Sequence, residues 1–302
     1  MAASNQTTSS PGLPGASAPE DFSQLRESVS VTHGQYLMFA SVLFFQLLNL
    51  LVKSYGPPKS VTDEEWKWRN LLVSWVHAVI ASVWVICCTV VYPELYSDLL
   101  QHISHLTFYC VCFSTGYFLY DFLDLIVNNK MLAMWELTLH HIGLAGMCYY
   151  NICIKSHIGF NIVALSVELN SVFLHWRKLL QMMKTPFDSR RYTIIKCLNL
   201  ISFLIFRGGA LVVISTGCIL WRQKVSTWYY LGISSTTLFM DILNVILFWR
   251  LFKSDFLRGR QGRGARSVSS SIKYDSNKDS SNHLVTSNNG NNAVRPRRAT
   301  CQ

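Results

Sequence analysis

Charge is scarce in this chain of 302 residues: 15% are Asp, Glu, Lys or Arg, while half are hydrophobic and 13% aromatic. Soluble domains carry about 25% charged residues, so the shortage argues against a water-soluble fold and for a membrane. Residues 1–35 have no basic start and no apolar stretch; rich in Ser, Pro, Gly and Ala, they read as an unstructured tail, not a signal peptide. The nine cysteines lack zinc-like spacing. All but Cys301 and the borderline Cys153 fall in apolar runs, where they read as small packing residues without a disulfide framework. The histidines form one adjacent pair and scattered singles rather than HxxxH or HxxHH boxes, so neither a metal-dependent hydroxylase or desaturase nor any cofactor is expected. An acidic-Arg-aromatic triplet is missing after "DLIVNNK", and the last apolar run has no Asn-Pro turn, which argues against a seven-helix receptor. The chain ends in "ATCQ", which is neither a prenylation box nor a Lys-Asp-Glu-Leu retention signal.

Long apolar runs are plentiful. A helix crossing a hydrocarbon layer about 30 Å thick needs about 20 mostly apolar residues. Seven runs qualify, at about 36–54, 70–92, 104–127, 133–153, 159–182, 194–220 and 227–252. Five or six is the alternative count, since ionisable groups interrupt the fourth and fifth. The fold class is therefore all-α: a polytopic bundle over 36–252, with unstructured tails at 1–35 and 253–302. Lys and Arg set the orientation. With the first tail outside, Lys53, Lys59, Lys67, Arg69 and Lys130 fall on the cytosolic side, as do the basic stretch from Arg177 to Arg191 and the C-terminal tail. Only Arg26, Lys155, Arg222 and Lys224 fall outside. The net charge of +10 then reflects topology and attraction to anionic inner-leaflet lipids rather than nucleic acid. The tail sequence "LRGRQGRGARSVSSS" reads as a solvated stop-transfer segment or as a phosphorylatable clamp on that leaflet. Asn5-Gln6-Thr7 is a glycosylation sequon that matters only if its tail is translocated.

Against this background the ionisable residues inside the runs stand out. Each costs about 2.5–3.5 kcal/mol in hydrocarbon even on insertion scales, and such residues normally face a cavity or one another. "AMWELTLHHIGLAGMCYYNI" holds Glu136, His140 and His141. His77, Asp121, Asp124, Glu168, Asn170, His175, Arg207, Asp241 and Asn244 complete the set. Glu136 and His140 are four apart and share a helix face. Asp121 and Asp124 are three apart, as are Asp241 and Asn244, and Glu168 and His175 are seven apart. His141 is rotated about 100° from His140, so one imidazole is expected to face a cavity and the other a neighbouring helix. Asp124 is near a span end, where interfacial water can reach it. Asp241 and Asn244 read as a bond between helices. Arg207, beside Gly208-Gly209, reads as the ion-pair partner of a carboxylate such as Glu168 or Asp121.

The order "WVHA", "GYFLYDFLDL", "HH", "VELN", "FLIFR" and a last span with Asp and Asn resembles the TLC-domain family over about residues 60–255. The phrasing "WELTLHHIG…SVELNSVFLHWRKLL…FLIFRGGA" is most similar to its calfacilitin subgroup, the types one and two TLC-domain-containing proteins. The resemblance implies six or seven spans around a lipid-accessible cavity. In the ceramide synthases of that family, paired histidines and an HDxxD-type run transfer an acyl group from acyl-CoA to an amine. His140 and His141 match the pair, but Val167, Glu168 and Ser171 occupy the His and two Asp places of the run, leaving one carboxylate. The homeobox-like insert of some ceramide synthases is absent. For the calfacilitin-like subgroup the resemblance implies a role in phospholipid composition and membrane fluidity. Polyunsaturated acyl chains would be restrained from entering phospholipids, especially phosphatidylethanolamine, at the plasma membrane or alternatively the endoplasmic reticulum. Membrane phospholipids are then the expected partners. Two readings stand: a lipid-binding regulator, with His77, Asp121, Glu136, Asn170, His175, Arg207 and Asp241 in a polar cavity, or a lipid acyltransferase. In the second, His140, His141 and Glu168 are catalytic, Glu136 or Glu168 fixes the imidazole, and the Arg177–Arg191 stretch holds acyl-CoA phosphates.

Overall fold

The computed structural model describes residues 22–61 and 64–257. The sequon at Asn5, the basic Ser-rich stretch after residue 257 and Cys301 lie outside them. The described residues hold ten α-helices and no strand: α1 Phe22–Ser28, α2 Val31–Tyr55, α3 Glu65–Val91, α4 His105–Val127, α5 Trp135–Ile154, α6 Ile158–Leu165, α7 Glu168–Met182, α8 Arg190–Ser202, α9 Gly209–Leu220 and α10 Thr227–Phe252. The helices up to Val245 form one compact unit. A second unit begins at Ile246; its described part is the end of α10 and a π-helical turn, Lys253–Leu257, with Phe248 and Phe252 stacked one turn apart.

Among the described residues six stretches are long and apolar enough to cross a membrane: Val31–Tyr55, Glu65–Val91, His105–Val127, Ile158–Met182, Arg190–Leu220 and Thr227–Asp255. This is one fewer than the seven runs read from sequence. The remaining run is α5, a continuous 20-residue helix. Its length of about 30 Å suits a span, but Glu136, His140 and His141 lower its hydropathy. Two of the six are jointed. Ile158–Met182 is α6 and α7 meeting at Ser166-Val167, and Arg190–Leu220 is α8 and α9 joined by a π-helical turn, Phe203–Gly208.

Residues 22–35, expected in an unstructured tail, are helical. Their apolar positions explain why: Val29 is fully buried, and Leu25 and Val31 pack against the same core. Ser30 then caps α2, its Oγ accepting from the His33 N–H at 3.3 Å. Arg26 Nη2 donates to Gln101 Oε1 at 2.7 Å and Lys155 Nζ to the Arg26 carbonyl at 3.0 Å, which tie α1 to the ends of later helices. At the α5–α6 link His157 is left-handed (φ 62°), donates its N–H to the Leu100 carbonyl and stacks on Tyr229. Burial, with the nearby Arg26, pulls its pKa down to about 4, so this ring is neutral at physiological pH.

The core is centred on α4, whose N-terminus carries a capping box between Ser104 and Thr107. α2 and α5 both pack on it, and α3 packs on α7. Phe45 of α2 anchors the α2–α4 contact, lying 4.9 Å from the Tyr117 ring and 5.5 Å from Phe113. Outward-facing apolar residues such as Phe39, Leu47, Val90 and Ile219 remain exposed, a surface suited to hydrocarbon. Gly116 permits the close approach of α2 and α4: a Cβ there would overlap the Met38 carbonyl oxygen and lie 2.6 Å from Ser41 Cβ. Gly116→Val is therefore expected to cost about 1–3 kcal/mol and lower the melting temperature of the purified protein. Gly146→Ala, on a helix with nothing within 4 Å of the added carbon, should leave it level or raise it. Equal melting temperatures for the two variants would contradict this packing.

Candidate functional site

The adjacent imidazoles of α5 divide the polar residues of the bundle into two sets. Their rings are 5.3 Å apart, yet the 100° step of the helix sends them to different neighbours.

His141 turns toward α4. Its Nδ1 is 2.8 Å from Asp121 Oδ2, within hydrogen-bond reach but off the ideal line. The other Asp121 oxygen accepts from Asn70 Nδ2 at 2.7 Å. One turn on, Asp124 Oδ2 accepts from Trp66 Nε1 at 2.9 Å, and Oδ1 from Asn128 Nδ2 at 3.0 Å. Longer contacts from Asn49 and Asn70, both 3.4 Å, complete its shell. The i,i+3 spacing puts both acids on one face of α4, toward the amides of α2 and α3. Asp124 is thus buried and bonded within the protein (7% exposed), whereas its position near a span end suggested interfacial water. His77 belongs to neither set. It is stacked 3.8 Å from Tyr117, with Phe45 and Phe118 at its edges, and its Nε2 has no partner. It is an aromatic core residue, packed there because "WVHA" places it opposite Tyr117.

His140 turns the other way, into a cavity of about 100 Å³ between α5, α6, α7, α9 and α10. Its polar wall includes His140, Glu168, Arg207, Asn244 and Asn161, with Thr236 and Thr237 opposite. The π-helical turn Phe203–Gly208 turns Arg207 inward; such turns recur at functional sites. The guanidinium donates from Nε to Asn170 Oδ1 (3.1 Å), from Nη1 to Asn244 Oδ1 (2.9 Å) and from Nη2 to Ser171 Oγ (3.0 Å). Asn170 is itself fixed by donating to Asn199 and Ser202 of α8.

This corrects the expected ion pair. Among the described residues no carboxylate oxygen is within 4.0 Å of Arg207; three neutral oxygens hold it. Glu168 shares the cavity wall in the first turn of α7 without pairing with it, and a helix N-terminus favours a negative charge there. His140 Nδ1 lies 2.8 Å from Met240 Sδ across the cavity.

The other expected members of one polar cavity lie apart from this wall. Asp121 is in the His141 network. Glu136 is half-buried in the first turn of α5, and His175 is half-buried further along α7. Asp241 accepts from Ser215 Oγ at 3.1 Å, a bond between α9 and α10. Arg177 is buried within α7 rather than exposed in a basic loop; Lys184, Arg190 and Arg191 are the exposed cations that follow. A helix presents one face to any one space, and these residues fall on several. Conversely, Asn49, Trp66, Asn70 and Asn161 are partners that a search for ionisable groups passes over. For the amides the signal is an Asn inside or at the edge of an apolar run, as in "WRNLLV" and "GFNIVAL"; Trp66, between Glu65 and Lys67, carries none. No group of three or more His, Cys, Asp or Glu gathers as a metal would require among the described residues.

The family model described as "TLC domain" matches residues 67–253. TLC domain-containing protein 2 of Danio rerio is 34% identical over 227 residues, covering 75% of this chain and 92% of its own. TLC domain-containing protein 1 of Mus musculus is 29% identical over 230 residues, with the same two shares. The Gallus gallus protein of that name is 31% identical over 247 residues, covering 77% of this chain and 92% of its own. No solved structure matches the chain.

The bonded Asp121 and the unbonded His77 predict different responses to substitution. Asp121→Ala strips Asn70 and His141 of their shared acceptor and should destabilise by about 3 kcal/mol, in the range for breaking a buried pair. His77→Phe keeps the ring stack and removes an unbonded nitrogen, so it should cost well under 1 kcal/mol or stabilise. Thermal melts of the purified variants compare them, and a larger loss for His77→Phe would refute its reading as an aromatic core residue.

Proposed function

The chain belongs to the TLC-domain family, and on that premise we propose that it regulates membrane phospholipid composition and fluidity, limiting polyunsaturated acyl chains in phospholipids such as phosphatidylethanolamine. The observation that carries this reading is a cavity inside the bundle whose wall holds a cation and a carboxylate not paired with each other. Arg207, held by neutral oxygens, retains attraction for a phosphate, and Glu168 for an ammonium. With little water to screen them, such charges act strongly on a zwitterionic head. The apolar remainder of the wall suits hydrocarbon. The protein then works at the plasma membrane, with the endoplasmic reticulum as the alternative. Its N-terminus is outside and its C-terminal tail rests on anionic inner-leaflet lipids.

One observation favours a second reading, a lipid acyltransferase. His140 faces the same cavity as Glu168, while its neighbour His141 is backed by Asp121. A neutral His140 could take the proton of a lysophospholipid hydroxyl or a sphingoid amine as that group attacks the acyl-CoA carbonyl, the CoA thiolate leaving and recovering the proton. Ser171, in the place of the second acid of the ceramide-synthase run, is engaged by Arg207 instead.

Phospholipid profiling of cells lacking the protein tests both. The polyunsaturated share of phosphatidylethanolamine should rise and return to normal with wild type. Arg207→Gln and Glu168→Gln should fail to restore it. Full rescue by His140→Ala/His141→Ala sinks the acyltransferase reading, and an unchanged profile without the protein sinks the proposal. An N-terminal epitope tag should be stained in unpermeabilised cells and a C-terminal one only after permeabilisation; the reverse pattern would overturn the orientation.

A further inference from the structure

The cavity is not uniform along its length. α10 runs antiparallel to α9, with Ser215 bonded to Asp241 and Cys218 beside Thr237, so Asn244, Met240, His140, Glu168 and Arg207 gather toward one end, and Phe160, Ile233 and Met147 toward the other. At this apolar end stands one amide, Asn161 of α6, 5% exposed. Its Oδ1 accepts from Asn151 Nδ2 at 3.0 Å, and its own Nδ2, with less than 1 Å² exposed, has no hydrogen-bond partner. A buried donor left unpaired costs about 1–3 kcal/mol, and most buried polar groups in folded proteins are paired. Beyond Asn161 the space continues. Phe160 and Ile233 also wall a second, small and almost wholly apolar space of about 20 Å³, lined further by Leu100, Gly217 and Trp221.

We propose that Asn161 is a ligand-binding residue of this cavity, its amide donating to the acyl carbonyl of a lipid whose polar end lies at Arg207 and Glu168 and whose hydrocarbon passes Phe160. The inference rests on the reading of the cavity as a lipid site and adds the residue that recognises the acyl linkage. The chemistry selects the ligand group. An anion would be drawn to the guanidinium at the polar end, whereas a neutral amide at the end walled by Phe160 and Ile233 suits a neutral acceptor. In an acylated lipid that acceptor is the carbonyl where the hydrocarbon begins. Asn161 precedes Glu168 by seven residues, about 10 Å at helical rise, so the two ends of the cavity meet different parts of one molecule. The carbonyl belongs to an ester in a phospholipid and to a thioester in acyl-CoA.

The test uses the full chain, purified in detergent and labelled with a photoactivatable diacyl phosphatidylethanolamine. Unlabelled diester phosphatidylethanolamine, its diether counterpart and palmitoyl-CoA compete with the label. Wild type should prefer diester to diether by about 3- to 10-fold, the worth of one hydrogen bond. Asn161→Leu should erase the preference by weakening the diester alone. Asn161→Asp, which keeps an acceptor for Asn151 and removes the donor, should do the same. Melting temperatures near wild type for the Asp variant separate this from misfolding. Competition by palmitoyl-CoA that depends on Asn161 assigns a thioester as well; its absence assigns the phospholipid ester. Equal affinity of wild type for diester and diether, or equal weakening of both by the variants, overturns the role of Asn161 while the lipid cavity stands. Failure of either lipid to displace the label, or of the label to bind, overturns both.

Discussion

Hydrocarbon offers no hydrogen-bond partner, so polar groups carried into this bundle are favoured where they meet another protein group or line a space that a ligand can enter. Most of the internal architecture follows from that demand. Asp121 and Asp124 draw Asn70, Trp66, Asn49 and Asn128 toward α4 from α2, α3 and the helix end. Arg207 draws Asn170, Ser171 and Asn244 together from α7 and α10. These bonds fix how the helices are rotated, which apolar packing alone specifies weakly where the surrounding lipid is equally apolar. Close contacts such as that of Gly116 with α2 then set how near the helices come.

The pair His140-His141 lets one helix serve both clusters. Had the two imidazoles stood four residues apart, both would face one space. Standing one apart, they bind α5 to α4 through Asp121 on one side and leave a ring at the cavity on the other. The polar character of α5, which keeps it below the hydropathy of a simple span, is thus the means by which it lies between two polar regions. Its neighbours carry the apolar burden.

Much of this was legible in the sequence, and the exceptions have physical causes. Run length and composition identify the helices because hydrocarbon thickness fixes how many apolar residues a span needs. The split roles of His140 and His141 follow from helical rotation. What periodicity cannot supply is which face of one helix meets which face of another, and so Asp121, His77 and His175 were grouped with a cavity they do not line. The joints at Ser166-Val167 and Phe203–Gly208 were equally hidden. Neither contains proline, and a π-helical turn has no composition of its own, yet the second directs Arg207 inward. The helical content of residues 22–35 was masked by the Ser- and Pro-rich stretch before it, although Leu25, Val29 and Val31 carry the packing.

The partners of Arg207 bear directly on what the cavity does. A buried arginine satisfied by a carboxylate would be electrically closed and would attract little. Here three neutral oxygens satisfy its geometry but not its charge, and Ser171 takes a position that the ceramide-synthase pattern gives to an acid. Glu168 is left in the same wall without a direct ion pair to the arginine. In the proposed reading this is the arrangement a zwitterionic head requires: each end of the ligand supplies the counter-charge that the protein withholds from itself. In the same reading, the departure that leaves Ser171 in the place of the second acid is also what keeps the charge of Arg207 available to a ligand. A carboxylate at residue 171 would close the pair with Arg207 and leave only the neutral donors to hold a lipid.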